Sequence, residues 1–279
     1  MNHVYLIDKE ELTVSLDDNS NYKAGSSEIL TERFGDLISD KNWFKEGFST
    51  EKSSNFYDEK KLYSSTEDAV KKIISNLDPG LQLDGFTLEK YHRYVSEKLH
   101  SEVIKKTKRL FPEDLSIDTN QIVKRFSEYF NTKLSFTNPV SHYTQWMIAR
   151  INRPRSNDYN TVHKDIYEIF DKYPVIPKMV NIWIPLCGVT ELNSLPIVPR
   201  SHLLSEDMII RSRAGSIVNG IPYSVASIKS WNESTSLDRV LIKSDELLVF
   251  SSHLIHGLAY NASNDVTRIS FEFRLYEEL

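Results

Sequence analysis

A histidine and an aspartate stand two positions apart in "TVHKDIYE", residues 161–168. In an extended segment, side chains i and i+2 leave the same face, so His163 and Asp165 can converge on one point. Joined by one more histidine they would make a facial triad, which binds Fe(II) on one side and leaves three coordination positions open. The tripeptide alone is equally compatible with a polar loop, an aspartate in the turn after "SNDYN". A second group lies in "DELLVFSSHLIHGLAYNASNDVTRISFEFRL", which holds His253, His256, a turn cluster at 261–265 and a closing strand. In that strand Ile269, Phe271, Phe273 and Leu275 alternate with Arg268, Ser270, Glu272 and Arg274. An arginine on the polar face offers a planar, permanently charged fork for a carboxylate. The residues by themselves therefore imply a metal site beside an anion site.

The elements that must position these groups change character near residue 135. Before it, helical spacing prevails. "SSTEDAVKKIISNLDPG" predicts a helix capped by Ser65, with Ala69, Val70, Ile73, Ile74 and Leu77 on one face and Pro79-Gly80 as its stop. "DGFTLEKYHRYVSEKLHSEVIKKTKRLFP" predicts a second, with an apolar stripe from Leu88 to Leu110 ended by Pro112, and with His92 and His100 on its solvated side. "DTNQIVKRFSEYFN" reads as a third, and "KAGSSEILTERFGDLI" as at best a short helix. After residue 135, "YTQWMIARIN", "KMVNIWIPLCG", "SLPIVP", "RVLIKS", "ELLVFSSHLIHG" and "VTRISFEFRL" are short, β-branched or aromatic runs between turn clusters. Too little helix separates them for a parallel sheet, so the expected class is α+β, a sandwich or jelly roll packed against N-terminal helices. We expect one domain over 1–279, with a mainly helical scaffold at 1–135 and the β core at 136–279.

Composition narrows the function classes. A formal net charge of −5 without a dominant Lys/Arg run gives no footprint for nucleic acid. The acidic opening "MNHVYLIDKEELTVSLDD" has no apolar core of a signal peptide, and no apolar run reaches the roughly 20 residues that span a bilayer. Cys187 is the only cysteine, which excludes an internal disulfide and a cysteine-based zinc knuckle. A cytoplasmic protein with no membrane partner is the expectation.

His163-x-Asp165, "NIWIPL" at 181–186, "LPIVPRSH" at 195–202, "SDELLVFSSHLIHG" at 244–257 and Arg268, in this order and spacing, resemble the phytanoyl-CoA dioxygenase-like branch of the Fe(II)/2-oxoglutarate oxygenases over roughly residues 140–279. The resemblance implies a double-stranded β-helix core. It also implies His163, Asp165 and one further histidine as iron ligands. His253 and His256, three apart, fall on opposite faces of an extended strand, so only one can look inward. His256, followed by Gly257 and twelve residues before Arg268, matches the pattern. Arg268, helped by Ser270, would hold the far carboxylate of 2-oxoglutarate, whose other end would chelate the iron. The implied outcome is hydroxylation of a small-molecule substrate, with 2-oxoglutarate and O2 converted to succinate and CO2. Asp165 stands against halogenation, since the halide-transferring relatives carry a small residue there. The sequence departs from the family at Arg200 and Ser244, both glycine in the pattern, and at the glycine expected before "SLPIVP"; these shape turns and are not ligands.

For the substrate, Trp183, Gln145 and Arg150 are the expected pocket residues, with Tyr143 and Arg153 behind them. Trp183 shares a face with Asn181 on a strand expected to border the cavity. The Ser/Asn/Gly-rich segment 203–239 is a potential lid. His202 is expected to hydrogen-bond within its own loop, His142 is uncommitted near the site, and His3 lies outside the matched region. A sugar, an amino acid or a natural-product intermediate suits these residues as well as a coenzyme A thioester, for which no basic cluster beyond Arg211 and Arg213 is visible. Two rival classes are a non-catalytic cupin-like binding protein and a zinc hydrolase; the second leaves Arg268 without a purpose.

Overall fold

The structure, a computed structural model, describes residues 2–17, 21–108, 110, 112–115, 117–144, 146–173, 175–213 and 215–278. In chain order its first half holds β1 (Asn2–Ile7), β2 (Glu10–Ser15), β3 (Lys23–Ala24), α1 (Leu30–Phe34), β4 (Phe48–Lys52), α2 (Glu59–Leu77), α3 (Glu97–Thr107), α4 (Thr119–Phe130) and β5 (Leu134–Ser135). The second half holds β6 (Ile148–Asn152), α5 (Tyr167–Phe170), β7 (Met179–Cys187), β8 (Pro196–Ile197), β9 (Ile209–Arg211), β10 (Ser216–Val218) and β11 (Ile221–Tyr223). It ends with β12 (Ile228–Trp231), β13 (Ser236–Arg239), β14 (Glu246–Ser251) and β15 (Arg268–Glu277).

The alternation of β15 organises the molecule. β15 pairs antiparallel with β7 on one edge and with β6 and β5 on the other, and β7 continues to β14 and β4. On the outer face Phe271 and Phe273 of β15, Ile182 and Ile184 of β7 and Leu247 and Val249 of β14 pack against Leu62 and Ala69 of α2 and Ile122 and Phe126 of α4. Each such buried side chain stabilises the fold by about 1.5–3 kcal/mol relative to exposure. The inner face carries the polar partners of the alternation. Opposite it lies a second layer, β2-β1-β13-β8, extended by an antiparallel bridge from Ile197 to His256 and another from His256 to His163. The backbone of Val162 then accepts from Ile228 of β12, which pairs β9 and β3. Two facing layers, antiparallel except for the parallel pairing of β1 with β13, are the expected jelly roll, with helices on one side.

Several expectations change. Residues 1–135 are not only a helical scaffold: β1 pairs β13, β3 pairs β9 and β4 pairs β14, so the N-terminal third closes the edges of the β core. α2 starts about two turns earlier than expected from a Ser65 cap, because Asp58 accepts from Lys61 N, while Ser65 and Thr66 sit inside the helix and donate to the carbonyls of Lys61 and Leu62. The second expected helix is split into a 3-10 stretch, Leu88–Arg93, and α3, since Ser96 leaves helical geometry to cap Leu99 N. "RVLIKS" is irregular beyond Arg239, and the strand lies one step earlier as β13, drawn there by β1 and β8. The segment 203–239 is not a structureless loop but five short strands, β9–β13.

Candidate metal centre

His163 and His256 are brought together by backbone pairing: His163 N donates to His256 O at 2.9 Å and His256 N to His163 O at 3.0 Å. Gly257 makes this approach possible. Its φ is +138°, and a Cβ there would fall 2.2 Å from the carbonyl oxygen of Thr161. Each ring is then oriented by its own strand. Nδ1 of His163 lies 2.7 Å from Thr161 O and Nδ1 of His256 lies 3.0 Å from Leu254 O, so both protons sit on Nδ1 and both Nε2 atoms are free as ligands. Nε2 of His163 is 3.3 Å from Asp165 Oδ1, and Nε2 of His256 is 3.6 Å from Asp165 Oδ2. The three ligand atoms lie within 4.8 Å of one another, all buried, the one such group among the described residues.

Arg274, on the inner face of β15, donates from Nη2 to Asp165 Oδ1 and from Nη1 to Glu168. Burial by itself would raise the Asp165 carboxyl; Arg274 and the two imidazoles outweigh it and hold Asp165 far below the usual carboxylate range. Burial, with His163 alongside, pushes the His256 imidazole down to about 4, which keeps it neutral and ready to coordinate. A small cavity of about 40 Å³ adjoins the triad, lined among others by Arg150, Asn181, Trp183, Phe250 and Arg274.

Arg268 does not line that cavity. It lies behind Trp183, with its guanidinium carbon 5.8 Å from the Trp183 ring centroid, and its Nη2 donates to Asn152 Oδ1. Among the described residues its Nε and Nη1 have no partner, nor do Ser270 Oγ, Trp183 Nε1 or either amide atom of Asn181. Burial pulls the Arg268 guanidinium down to about 10. An unpartnered buried polar group costs about 1–3 kcal/mol, more when charged, so such a concentration on one inner face marks a place for a ligand. A dicarboxylate with oxygens at both ends fits that donor set, and the His–Asp–His group fits a ferrous ion. The chain's other titratable groups have different roles. His253 is buried away from the triad, its Nδ1 without a partner among the described residues and its pKa pushed down to about 3 by burial and by Lys164. His202 makes no bond within its loop; its ring is packed edge-on against Phe44. His100 is buried against Tyr91 and Asp158, and His92 is held by Thr267 and Asp265, so neither is a solvated face position.

A larger cavity of about 600 Å³ opens from His163 and Asp165 between α3, β6, residues 157–160 and β11. Of the expected pocket residues, Trp183 lines the inner cavity and Arg150 both. Gln145 lies outside the described residues. Tyr143 and His142 are exposed, Arg153 is taken up by Glu97 and Asp158, and Arg200 pairs with Glu46 in a left-handed turn where the pattern has glycine. Arg211 is buried on Asp171, and Arg213 donates to Ala24 O. Sequence reasoning missed Arg274 and Glu168 as partners of Asp165. The signal was present in the spacing: Arg274 shares the period-2 face of Arg268, and Glu168 follows Asp165 by one helical turn.

Residues 52–270 match the family model of phytanoyl-CoA dioxygenase (PhyH), and the chain belongs to that family. It is an Fe(II)/2-oxoglutarate-dependent oxygenase-type enzyme, with iron and 2-oxoglutarate as its cofactors. Similar solved structures include EvdMO1, at 16% identity over 87% of this chain and 50% of that one with a TM-score of 0.50. EctD from S. alaskensis, with 2-oxoglutarate and 5-hydroxyectoine, is 11% identical over 95% and 86% with a TM-score of 0.48. The non-heme monooxygenase ThoJ in its apo form is 14% identical over 87% and 77% with a TM-score of 0.47. The likeness to EvdMO1 speaks to the fold alone. No curated protein matches the sequence. Among the described residues no helix is long and apolar enough to cross a membrane.

Proposed function

We propose that the chain hydroxylates a small organic molecule in the cavity beside His163 and Asp165, with His163, Asp165 and His256 as the iron ligands and Arg268 with Ser270 receiving the far carboxylate of 2-oxoglutarate. The observation that carries this reading is the convergence of two free Nε2 atoms and one carboxylate within 4.8 Å. A buried, partly unpartnered guanidinium lies on the same inner face. When bound, the two cofactors supply the oxidation: 2-oxoglutarate and O2 give succinate and CO2, and one oxygen atom enters the substrate C–H bond.

The protein's own groups do the rest. Thr161 O and Leu254 O fix the imidazole tautomers. Arg274 donates to Oδ1 of Asp165 and holds the carboxylate in place, so that Asp165 would serve with His163 and His256 as a protein ligand to the iron. Trp183, Phe250 and Leu195 exclude water from the inner cavity. Anaerobic addition of Fe(II) and 2-oxoglutarate should produce a weak visible charge-transfer band, lost in Asp165→Ala. Air should then yield succinate. A featureless spectrum together with no succinate would leave a non-catalytic binding protein as the better reading.

A further inference from the structure

Four of the acids that line the larger cavity share two arginines, two acids to each. Glu97 and Asp158 are held by Arg153 at 2.7 and 2.8 Å, His100 lies 3.2 Å from Asp158, and Asp165 and Glu168 share Arg274. The wall made by α3 and β6 is different. Arg150 projects from the inner face of β6 into both cavities, and its Nε donates to Glu272 at 2.8 Å. Its terminal nitrogens make no further hydrogen bond among the described residues. Lys108, at the C-terminal end of α3, lines the same cavity and makes no ion pair or side-chain hydrogen bond there among the described residues. The two cations repel each other, and Glu272, which accepts from Arg150, also attracts Lys108. Against Glu272, the two positive charges of Arg150 and Lys108 leave a local excess of one cation on this wall of a cavity that His163 and Asp165 also line.

We infer that Arg150 and Lys108 form an oxyanion subsite, so that the substrate of this enzyme carries a carboxylate or phosphate which these residues hold while the rest of the molecule reaches His163 and Asp165. This rests on the oxygenase reading above. The chemistry suits the residues: Arg150 offers a fork preoriented by Glu272, and Lys108 a mobile ammonium at the cavity mouth. The site also differs from that of 2-oxoglutarate, because Arg268 is buried behind Trp183 and lines neither cavity.

The full chain, loaded anaerobically with Fe(II) and 2-oxoglutarate, is titrated calorimetrically with phenylacetate, phenyl phosphate, phenylacetamide and 2-phenylethylamine. At least one anion should bind about tenfold or more tightly than the amide, and the stronger of the two identifies the source as carboxylate or phosphate. K108Q and the charge-balanced R150Q/E272Q should each lower that preference about fivefold or more, R150K should retain most of it, and the affinity for 2-oxoglutarate should stay within about threefold of wild type. Circular dichroism shows whether the variants fold, and K108Q, at an exposed position, carries the test should R150Q/E272Q fail to. Equal, reversed or absent binding of the probes overturns the proposal. So does a matching rise in the 2-oxoglutarate requirement of R150Q/E272Q, which would make Arg150 a cofactor residue. A wild-type protein with no charge-transfer band would instead sink the cofactor reading, and the same titrations on the metal-free chain would still decide the anion subsite.

Discussion

Replacing Arg268 with glutamine separates the two halves of the proposed site. The side chain is fully buried, one nitrogen bonded to Asn152 and two without partners among the described residues. Its guanidinium is pulled down to about 10 from an ordinary value of 12.5, so burying the cation costs about 3 kcal/mol in the ligand-free protein. Arg268→Gln removes that cost along with one hydrogen bond, and the free protein should melt at the same temperature or higher. Removing one partner of a buried, hydrogen-bonded charge pair costs about 2–5 kcal/mol in binding. Relief of the free state counts within that range, and the lower half is expected: a rise in the 2-oxoglutarate Kd of about 30- to 350-fold. The assay is an anaerobic titration of the charge-transfer band, with bound iron measured separately and thermal midpoints taken with and without 2-oxoglutarate. Iron should remain bound, and the thermal shift given by 2-oxoglutarate should shrink. A Kd within about threefold of wild type, with iron retained, would refute the assignment of Arg268 to the dicarboxylate.

Other consequences can be checked in the same preparations. His256→Ala should abolish iron binding, whereas His253→Ala should leave it intact; the reverse would show that the wrong histidine has been placed in the triad. Arg274→Met removes the cation that offsets the burial of Asp165, so the carboxyl should titrate at least about 1 unit higher and iron binding should be lost at a higher pH on the acid side. An unchanged pH profile for Fe(II) binding would contradict that. Asp36, buried where it accepts from Ser251 Oγ and Ile38 N, has its carboxyl pushed up to about 6. The native state therefore binds the proton more tightly than the unfolded chain, and Asp36 contributes a destabilisation that grows as pH rises from about 4 to 6, to about 3 kcal/mol. Asp36→Asn should flatten this part of the stability–pH curve, and denaturant midpoints at pH 5 and pH 8 test it.

Much of the chemistry was legible along the chain because it is local. The i, i+2 relation of His163 and Asp165, the alternation of Arg268 to Leu275 and the glycine after His256 each follow from backbone periodicity or from the space around one Cα, and both are written in neighbouring residues. The apolar faces of the helices were legible for the same reason, whereas the start of α2 and the break before Ser96 in the second expected helix were not. What sequence could not supply was decided by pairings between residues far apart. β1 at the N-terminus fixes the position of β13 some 230 positions on, and β4 completes the sheet that carries the site. Arg274 reaches Asp165 only because β15 lies opposite the H-x-D segment, and Arg268 lies behind Trp183 only because β7 and β15 are paired in that register. Side-chain type and spacing determine which groups can ligate or bind an anion. The closure of two sheets over a distance no local pattern encodes decides which of them meet, which lose water, and which are left with open valences for a ligand.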